Sequence, residues 1–352
     1  MGKRVIKWEW VGIVVLAAII FITGMVLMII KSDNGKILLP VKRNDIFSAE
    51  FAEYPGMLTA KDNTLVTKQG SPVILKGLMP QDPAVLHNRN KFSREFFAEI
   101  SRTGANVVRV PIHPENWVRD KDYLWRYLEP LVQWCGEMRM YVIIDLHFIG
   151  NIVTGGGQQM PDIEVPAAKM ARDFWSQVAG HFRSVPNVIY EICNEPADIK
   201  GLTWSMKATE LVSVIREQGA RQLIIVGGVE YGKDLSWVDK YPVQGENIAY
   251  ASHIYPAHSK QLWPEYFGKV ASTYPLLITE WGYLEEQRDQ QSNYLVGNRE
   301  EYARPLLDYL EHLGAGWVAC WYDDRWLPPM FAEGYIEPND YGSFVLAELK
   351  ED

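Results

Sequence analysis

Eight short apolar segments, spaced along the chain and separated by longer amphipathic segments, constrain the fold more than any other feature of this sequence. Each is a nearly continuous run of β-branched, aliphatic and aromatic residues, the pattern of a strand whose two faces are both covered, as in a parallel sheet. The eight runs span residues 73–77, 106–112, 141–147, 187–193, 222–228, 248–255, 276–282 and 317–323. They predict a fold built on parallel strands.

The segments between these runs carry helical patterns. Helix-like stretches span residues 93–103, 122–139, 167–184, 204–218, 262–273 and 299–313, with a weaker one at 234–241. Eight strands alternating with helices predict an α/β chain folded as a (β/α)8 TIM barrel. The alternative is a doubly wound open sheet, which normally has a Gly-rich phosphate turn after its first strand, and the sequence LKGLMPQ at that position has no such turn.

The N-terminal region has a different character. Residues 11–30 carry no charge and are mostly apolar, and about 20 such residues form a helix that crosses a bilayer core of about 30 Å. We therefore expect one N-terminal transmembrane helix. The rival interpretation is a cleaved signal peptide, but its apolar core is usually only about 7–15 residues long, and no small-residue cleavage site follows Ile30.

The predicted domain organisation follows from this anchor. Lys3, Arg4 and Lys7 precede the span and favour a cytoplasmic N-terminus. The sequence predicts a cytoplasmic tail over 1–10, a transmembrane anchor over 11–30, a linker over 31–56 and one catalytic domain over 57–352. The expected location is the cell membrane, with a single pass and an extracytoplasmic catalytic domain.

Charge and composition exclude several function classes. The formal net charge of −9 argues against nucleic acid as a partner, because phosphate binding needs a basic surface. The three cysteines show no paired spacing, and the seven histidines form no HExxH pattern. The sequence therefore predicts neither a disulfide framework nor a metal or other cofactor.

Two carboxylates follow predicted strands. The run at 187–193 leads into Asn194, Glu195 and Pro196, and Glu280 lies near the end of the run at 276–282. In a barrel the C-terminal ends of all strands open on one mouth, so these side chains are expected to converge. A pair of carboxylates can cleave a glycosidic bond when one protonates the leaving oxygen and the other attacks or activates water.

Four motifs, in order along the chain, carry a family resemblance. They are DLH at 145–147, NEP at 194–196, SHIY at 252–255 and TEWG at 279–282. Together they resemble glycoside hydrolase family 5, the cellulase-type retaining β-glycanases, over a region from about Leu58 to the C-terminus. The resemblance implies that Glu195 is the acid and base, that Glu280 is the nucleophile, and that their carboxyl groups lie about 5 Å apart.

The same resemblance implies roles for other residues. Arg109 and Tyr255 would hold Glu280, and Asn194 would contact the sugar 2-hydroxyl. The remaining expected substrate-binding residues are His147, His253, Trp321 and Trp326. Taken singly, Arg109 is equally explained as a buried ion-pair partner and His147 as a core histidine. Leu78 and Met79 depart from the family pattern, which affects the expected sugar subsites but not the reaction.

The sequence thus predicts a membrane-anchored retaining endo-β-1,4-glucanase acting on a β-linked polysaccharide. Its short linker favours trimming a cell-surface exopolysaccharide, in a complex with a polysaccharide synthase. Two alternatives stay open. One is a β-mannanase or β-1,3-glucanase on the same scaffold, because fold and acid pair do not fix the sugar. The other is a non-hydrolytic glycan-binding subunit of an envelope polysaccharide complex, against which the presence of both Glu195 and Glu280 weighs.

Overall fold

The barrel predicted from the sequence is present in the computed structural model, which describes residues 51, 53–157, 163–335 and 337–351. Eight parallel strands, numbered here β1 to β8, close on themselves in consecutive order. They are Lys76–Met79, Val107–Ile112, Tyr141–Leu146, Val188–Glu191, Ile224–Gly227, Ile248–Ile254, Leu276–Trp281 and Gly316–Cys320. The predicted (β/α)8 topology is confirmed.

Helices cover most of the outside of this barrel. The α-helices are Pro83–Asn88, Arg94–Arg102, Pro114–Arg119, Glu129–Glu137, Ala167–Phe182, Gly201–Glu217, Arg304–Leu313 and Asp340–Glu348. The connection that contains residues 234–241 is shorter and more irregular. Π-helical turns at Leu124–Leu128 and Arg299–Ala303 lead into two of these helices. The long helices bury one apolar face against the strands, as amphipathic helices of an α/β barrel do.

One predicted helix was wrong, and another is helical but irregular. Residues 234–241 form turns, because Asp234 accepts the backbone N–H of Ser236 at 2.8 Å and so stabilises a turn in place of a helix. Residues 262–273 form short π and 3₁₀ segments, Pro264–Gly268 and Val270–Ser272. Gly268 packs so closely on Tyr309 that a Cβ would lie 2.3 Å from its hydroxyl, and glycine is a poor helix former, so the segment is not a regular α-helix at this point.

A small hairpin closes the N-terminal end of the barrel. Its strands, Thr59–Lys61 and Thr64–Val66, pair antiparallel, and buried Leu58 and Leu65 pack into the barrel core. Asn247 fastens the hairpin, because its Oδ1 accepts the N–H of Ala60 at 2.7 Å and its Nδ2 donates to the carbonyl of Leu58 at 3.0 Å. With this end closed, the C-terminal mouth is left for a site.

At that mouth, the chain after β4 is tied to the chain after β3. Ile149–Gly150 and Glu195–Pro196 form a separate two-residue parallel pair, and the N–H of Glu195 donates to the carbonyl of Phe148 at 3.0 Å. The barrel strand itself ends at Glu191, earlier than the sequence pattern indicated. Backbone hydrogen bonds therefore fix Glu195 at the rim, although it lies outside the barrel ladder.

In the described part of the chain, no helix is both long and apolar enough to cross a membrane. The predicted span at 11–30 lies outside the described residues, as do 1–10 and most of 31–56. The domain boundaries therefore stay predictions. Near the boundary at residue 57, the carbonyl of Gly56 accepts the hydroxyl of Tyr141 at 2.8 Å, which joins this segment to the barrel.

Candidate active site

A buried guanidinium lies at the centre of the barrel mouth. Arg109 of β2 is fully buried, and its Nε donates to Glu191 Oε2 at 2.6 Å while Nη1 donates to Glu280 Oε2 at 3.0 Å. Its Nη2 donates to Asn194 Oδ1 at 2.8 Å and lies 3.1 Å from Asp145 Oδ2. One cation thus contacts carboxylates from β3, β4 and β7.

These contacts explain how acidic residues can sit inside apolar strands. A buried charge is costly unless it is paired and hydrogen-bonded. Glu191 is completely buried in β4, and burial alone would raise its pKa, but the charge of Arg109 and hydrogen bonds with His253 and Arg109 outweigh burial and lower the pKa to about 2. Glu191 is therefore ionised at neutral pH.

Glu280 is held in the form that a nucleophile needs. Burial raises its pKa, but the positive charges of His253 and Arg109 and a hydrogen bond from the Tyr255 hydroxyl outweigh burial, and its pKa is lowered below the ordinary value. Arg109 donates to Oε2 and Tyr255 donates to Oε1, so both oxygens are fixed. The carboxylate is ionised and rigidly oriented.

Glu195 has the opposite behaviour. Burial raises its pKa, and the negative charge of Glu280 raises it further, against the lowering effect of a hydrogen bond with His253. Carboxylate oxygens of Glu195 and Glu280 lie within 4.8 Å of each other. Retaining glycosidases hold their two carboxyl groups about 5–5.5 Å apart and inverting enzymes about 6.5–9.5 Å apart. The spacing fits a nucleophile and an acid acting together.

The same atoms have a spacing that a metal ion would also accept. Glu195, His253 and Glu280 each offer one donor atom, all within 4.8 Å of one another. Both oxygens of Glu280 already take hydrogen bonds, from Arg109 and Tyr255. The guanidinium of Arg109, which contacts Glu280, also repels a second cation placed at this carboxylate. These contacts suit a proton-transfer site better than a metal site.

Aromatic rings form one side of the mouth. His113 lies between His147 and Trp326, with ring centroids 5.1 and 5.2 Å away and interplanar angles of 17° and 7°. Trp321 meets Trp326 edge to face at 4.8 Å. His147 Nδ1 lies 2.6 Å from Asp145 Oδ2, which orients its ring. Flat rings at a carboxylate pair suit the apolar face of a pyranose.

Asn194 presents an unused donor to the site. Its Oδ1 accepts from Arg109, whereas its Nδ2 is buried and has no hydrogen-bond partner among the described residues. Leaving a buried donor unpaired costs about 1–3 kcal/mol. An incoming hydroxyl would remove that cost, which agrees with the sugar contact expected for this residue.

The structure brings all the predicted site residues to one rim. They are Arg109, His147, Asn194, Glu195, His253, Tyr255, Glu280, Trp321 and Trp326, joined by the contacts above. Their individual roles stay predictions.

Sequence reasoning missed four further residues at this site: Asp145, Glu191, Thr279 and His113. The first two had a usable signal, because each is an acidic residue inside a predicted buried strand and therefore requires a cationic partner. Thr279 is the first residue of the TEWG motif, but nothing in the sequence indicates that its hydroxyl donates to Glu191 at 2.8 Å. His113 becomes visible only through its stacking between two rings of the site.

Comparison with known proteins agrees with this geometry. The family model described as cellulase (glycosyl hydrolase family 5) matches residues 66–324. An endoglucanase of Clostridium saccharobutylicum is 26% identical over 259 residues, which make up 70% of this chain and 54% of that protein. Endoglucanase CelA of Streptomyces lividans is 30% identical over 221 residues, 60% of this chain and 44% of that protein. The chain spans about half the length of the curated relatives it matches.

Solved structures give the same picture. A β-glucanase from Saccharophagus degradans, crystallised in complex with cellotetraose, is similar to this chain with a TM-score of 0.80 and 26% identity, covering 90% of this chain and 98% of that one. The catalytic domain of Thermobifida fusca endoglucanase Cel5A has a TM-score of 0.72 at 20% identity, covering 84% of this chain and 98% of that one. The second similarity is one of fold alone.

The Tyr255 contact generates a pH prediction. Tyr255→Phe removes a hydrogen bond that favours ionised Glu280, so the pKa of Glu280 rises. Activity needs the ionised form and is present above that pKa, so the acid limb of kcat/KM against pH moves upward. A hydrogen bond to a charged group contributes about 1.5–3 kcal/mol, and one pKa unit is about 1.4 kcal/mol. We expect a shift of roughly one pH unit.

The matched control is Tyr294→Phe, whose ring packs edge-on against Tyr255 at 5.2 Å. This variant should leave the acid limb unchanged. An acid limb in Tyr255→Phe that coincides with the unsubstituted protein would contradict the role given to this hydrogen bond.

Proposed function

Because the chain belongs to glycosyl hydrolase family 5, we propose that it is a retaining endo-β-1,4-glucanase that cleaves β-glucan by double displacement. The observation that carries this proposal is the pairing of Glu195 and Glu280 within 4.8 Å, with a raised pKa for Glu195 and a lowered pKa for Glu280. A retaining mechanism requires this division between one protonated and one ionised carboxyl group.

In the first step, an oxygen of Glu280 bonds to the anomeric carbon while the glycosidic C–O bond breaks. Glu195 gives its proton to the leaving oxygen and becomes a carboxylate. Glu280 is now an uncharged ester, so the negative charge that raised the pKa of Glu195 is gone. Glu195 can then act as base: it takes a proton from the water that hydrolyses the ester and so regains its acid form.

The substrate proposal draws on the sugar-facing residues and on relatives. The unpaired Nδ2 of Asn194 suits a hydroxyl next to the anomeric carbon, and the partly exposed indole of Trp326 suits the apolar face of a pyranose. A similar β-glucanase was crystallised with cellotetraose, a β-1,4-linked chain. These features favour a β-1,4-glucan over a mannan or a β-1,3-glucan.

Replacing either glutamate separates the two roles. Glu195→Gln and Glu280→Gln should each abolish hydrolysis of a soluble β-1,4-glucan, because general acid assistance alone contributes about 10²–10⁴-fold. Only Glu195→Gln should keep a fast first step with a dinitrophenyl cellobioside, whose leaving group needs no proton. Turnover is measured beside thermal unfolding, which shows that each variant is folded.

Glu285→Gln is the control, because Glu285 is exposed and follows β7, the strand that carries Glu280. Near-normal glucan turnover by either active-site variant would show that the assignment is wrong. Hydrolysis of mannan or β-1,3-glucan in place of β-1,4-glucan would redirect the specificity. Glycan binding without any hydrolysis would favour the glycan-binding subunit.

We further propose that residues 11–30 anchor the enzyme in the cell membrane with its catalytic domain outside. The support is the sequence itself: an uncharged apolar run preceded by Lys3, Arg4 and Lys7. Residues 31–56, taken as a random coil, would span only about 25–30 Å. This short reach suits trimming of an exopolysaccharide at the cell's own surface, beside a polysaccharide synthase, more than digestion of distant material.

Cell fractionation tests the anchor. Activity should stay with membranes and be released from intact cells by external protease. The double variant Leu16→Arg with Ile20→Arg should lose membrane retention, since each central arginine costs about 2.5–3.5 kcal/mol on insertion, whereas Leu16→Ala with Ile20→Ala should keep it. Soluble activity in the culture medium with an N-terminus after residue 30 would instead reveal a cleaved signal.

A further inference from the structure

A chain of hydrogen bonds runs from Glu195 into the interior of the barrel. Glu195 Oε1 lies 3.0 Å from His253 Nδ1, and the other ring nitrogen, Nε2, lies 3.2 Å from Thr279 Oγ1. The Thr279 hydroxyl donates to Glu191 Oε1 at 2.8 Å, and Arg109 holds Glu191 Oε2 at 2.6 Å. Of the residues in this hydrogen-bond series, only Glu195 reaches the mouth of the barrel. Its side chain is 13% exposed, and that of His253 is 1% exposed.

The direction of each hydrogen bond can be assigned. Glu191 is ionised beside Arg109, so it has no hydrogen to give and the Thr279 hydroxyl must donate to it. A hydroxyl has one hydrogen, so Thr279 can offer only a lone pair to His253. Nε2 of His253 must therefore carry a hydrogen.

Two arrangements remain for the contact between His253 Nδ1 and Glu195 Oε1. In the first, His253 is an imidazolium whose Nδ1–H donates to Oε1. In the second, His253 is neutral and Glu195 donates from Oε1 to Nδ1, which turns the acid proton away from the substrate. Only the first arrangement places the proton of a protonated Glu195 on Oε2, the oxygen that does not face His253.

The surroundings favour the imidazolium. Glu191 Oε1 lies 3.9 Å from His253 Nε2, and Glu280 and Glu195 supply further acidic groups on the other sides. Burial lowers the pKa of His253, but the negative charge of Glu280, the nearby carboxylate of Glu191 and the contact with Glu195 outweigh burial and raise the pKa to about 10.

The ring of His253 also has a fixed position. Gly232, with φ of +76°, lies so close to it that a Cβ would be 2.8 Å from the imidazole. The backbone N–H of His253 donates to the Gly232 carbonyl at 3.1 Å. The Gly232 backbone therefore packs closely against one side of the His253 ring and restricts its movement.

We propose that Glu191 and Thr279 are positioning residues that keep His253 doubly protonated, so that Glu195 carries its acid proton on Oε2. The proposal rests on the proposed hydrolytic function. When the glycosidic C–O bond breaks, its electron pair goes to the leaving oxygen, which takes the proton from Oε2. The carboxylate so formed at Glu195 is stabilised by the Nδ1–H of His253, and water restores the proton in the second step.

The test removes the Thr279 hydroxyl. Thr279→Val deletes the contacts with Glu191 and His253 at nearly constant volume, and Thr279→Ser restores them. ¹⁵N NMR of the full chain labelled at histidine, with the His253 signals assigned from a His253→Asn variant, reports which ring nitrogens carry hydrogen. Ser252→Ala is the control, because the buried Ser252 hydroxyl donates to the Lys233 carbonyl and not to this chain of hydrogen bonds.

We expect an imidazolium in the unsubstituted protein, in Thr279→Ser and in Ser252→Ala, and in Thr279→Val an imidazolium that loses a ring hydrogen at lower pH, because the contact that holds the Nε2–H is gone while the neighbouring carboxylates remain. We also expect Thr279→Val to lose about ten- to a hundredfold in kcat/KM on cello-oligosaccharides, part of the contribution of general acid catalysis, and to lose little on a dinitrophenyl cellobioside. If Thr279→Val unfolds, Glu191→Gln is measured in the same way.

A neutral His253 in the unsubstituted protein, or an imidazolium in Thr279→Val that loses its ring hydrogen at the same pH as in the unsubstituted protein, with unchanged leaving-group dependence, would overturn the proposal. The NMR result does not depend on turnover. A protein that hydrolyses no glycan but shows the expected histidine states would therefore refute the proposed function and leave this assignment of protons standing.

Discussion

The site depends on one buried positive charge. Arg109 is completely enclosed and contacts carboxylates that come from three different strands. Removing one partner from a buried ion pair costs about 3–5 kcal/mol, because an uncompensated charge remains. The guanidinium therefore fixes the relative positions of β2, β3, β4 and β7 at the mouth. The same contacts that satisfy it also hold Glu280 and Asn194 where a substrate would meet them.

The arginine also makes two similar side chains different. Glu280 lies against His253, Arg109 and Tyr255, which lower its pKa despite burial, whereas burial and the charge of Glu280 raise the pKa of Glu195 against the lowering effect of His253. Neither shift comes from burial alone, since both carboxyl groups are buried and burial raises the pKa of each. The neighbouring charges and donors decide which group is the nucleophile and which is the acid.

The sequence was informative where one physical requirement dominated. Continuous apolar runs identified all eight strands, and residues near or just after their ends, such as Glu280 and Trp321, follow from the rule that strand ends share one mouth. The predicted helix at 234–241 is absent, because a side-chain turn contact overrides periodicity, and the one at 262–273 is irregular where Gly268 packs tightly on Tyr309. Thr279 could not be predicted, because its importance comes from two hydrogen bonds between distant segments.

In the proposed mechanism, Glu280 attacks the sugar while Glu195 protonates the leaving group. Trapping the intermediate tests it most directly: a 2-fluoro dinitrophenyl cellobioside forms the glycosyl ester quickly and releases it slowly, and mass spectrometry of peptides locates the attached sugar. We predict one attached sugar per protein molecule, located on the side chain of Glu280 within its peptide. A label on another carboxylate, or full β-glucan hydrolysis with no label formed, would contradict the claim.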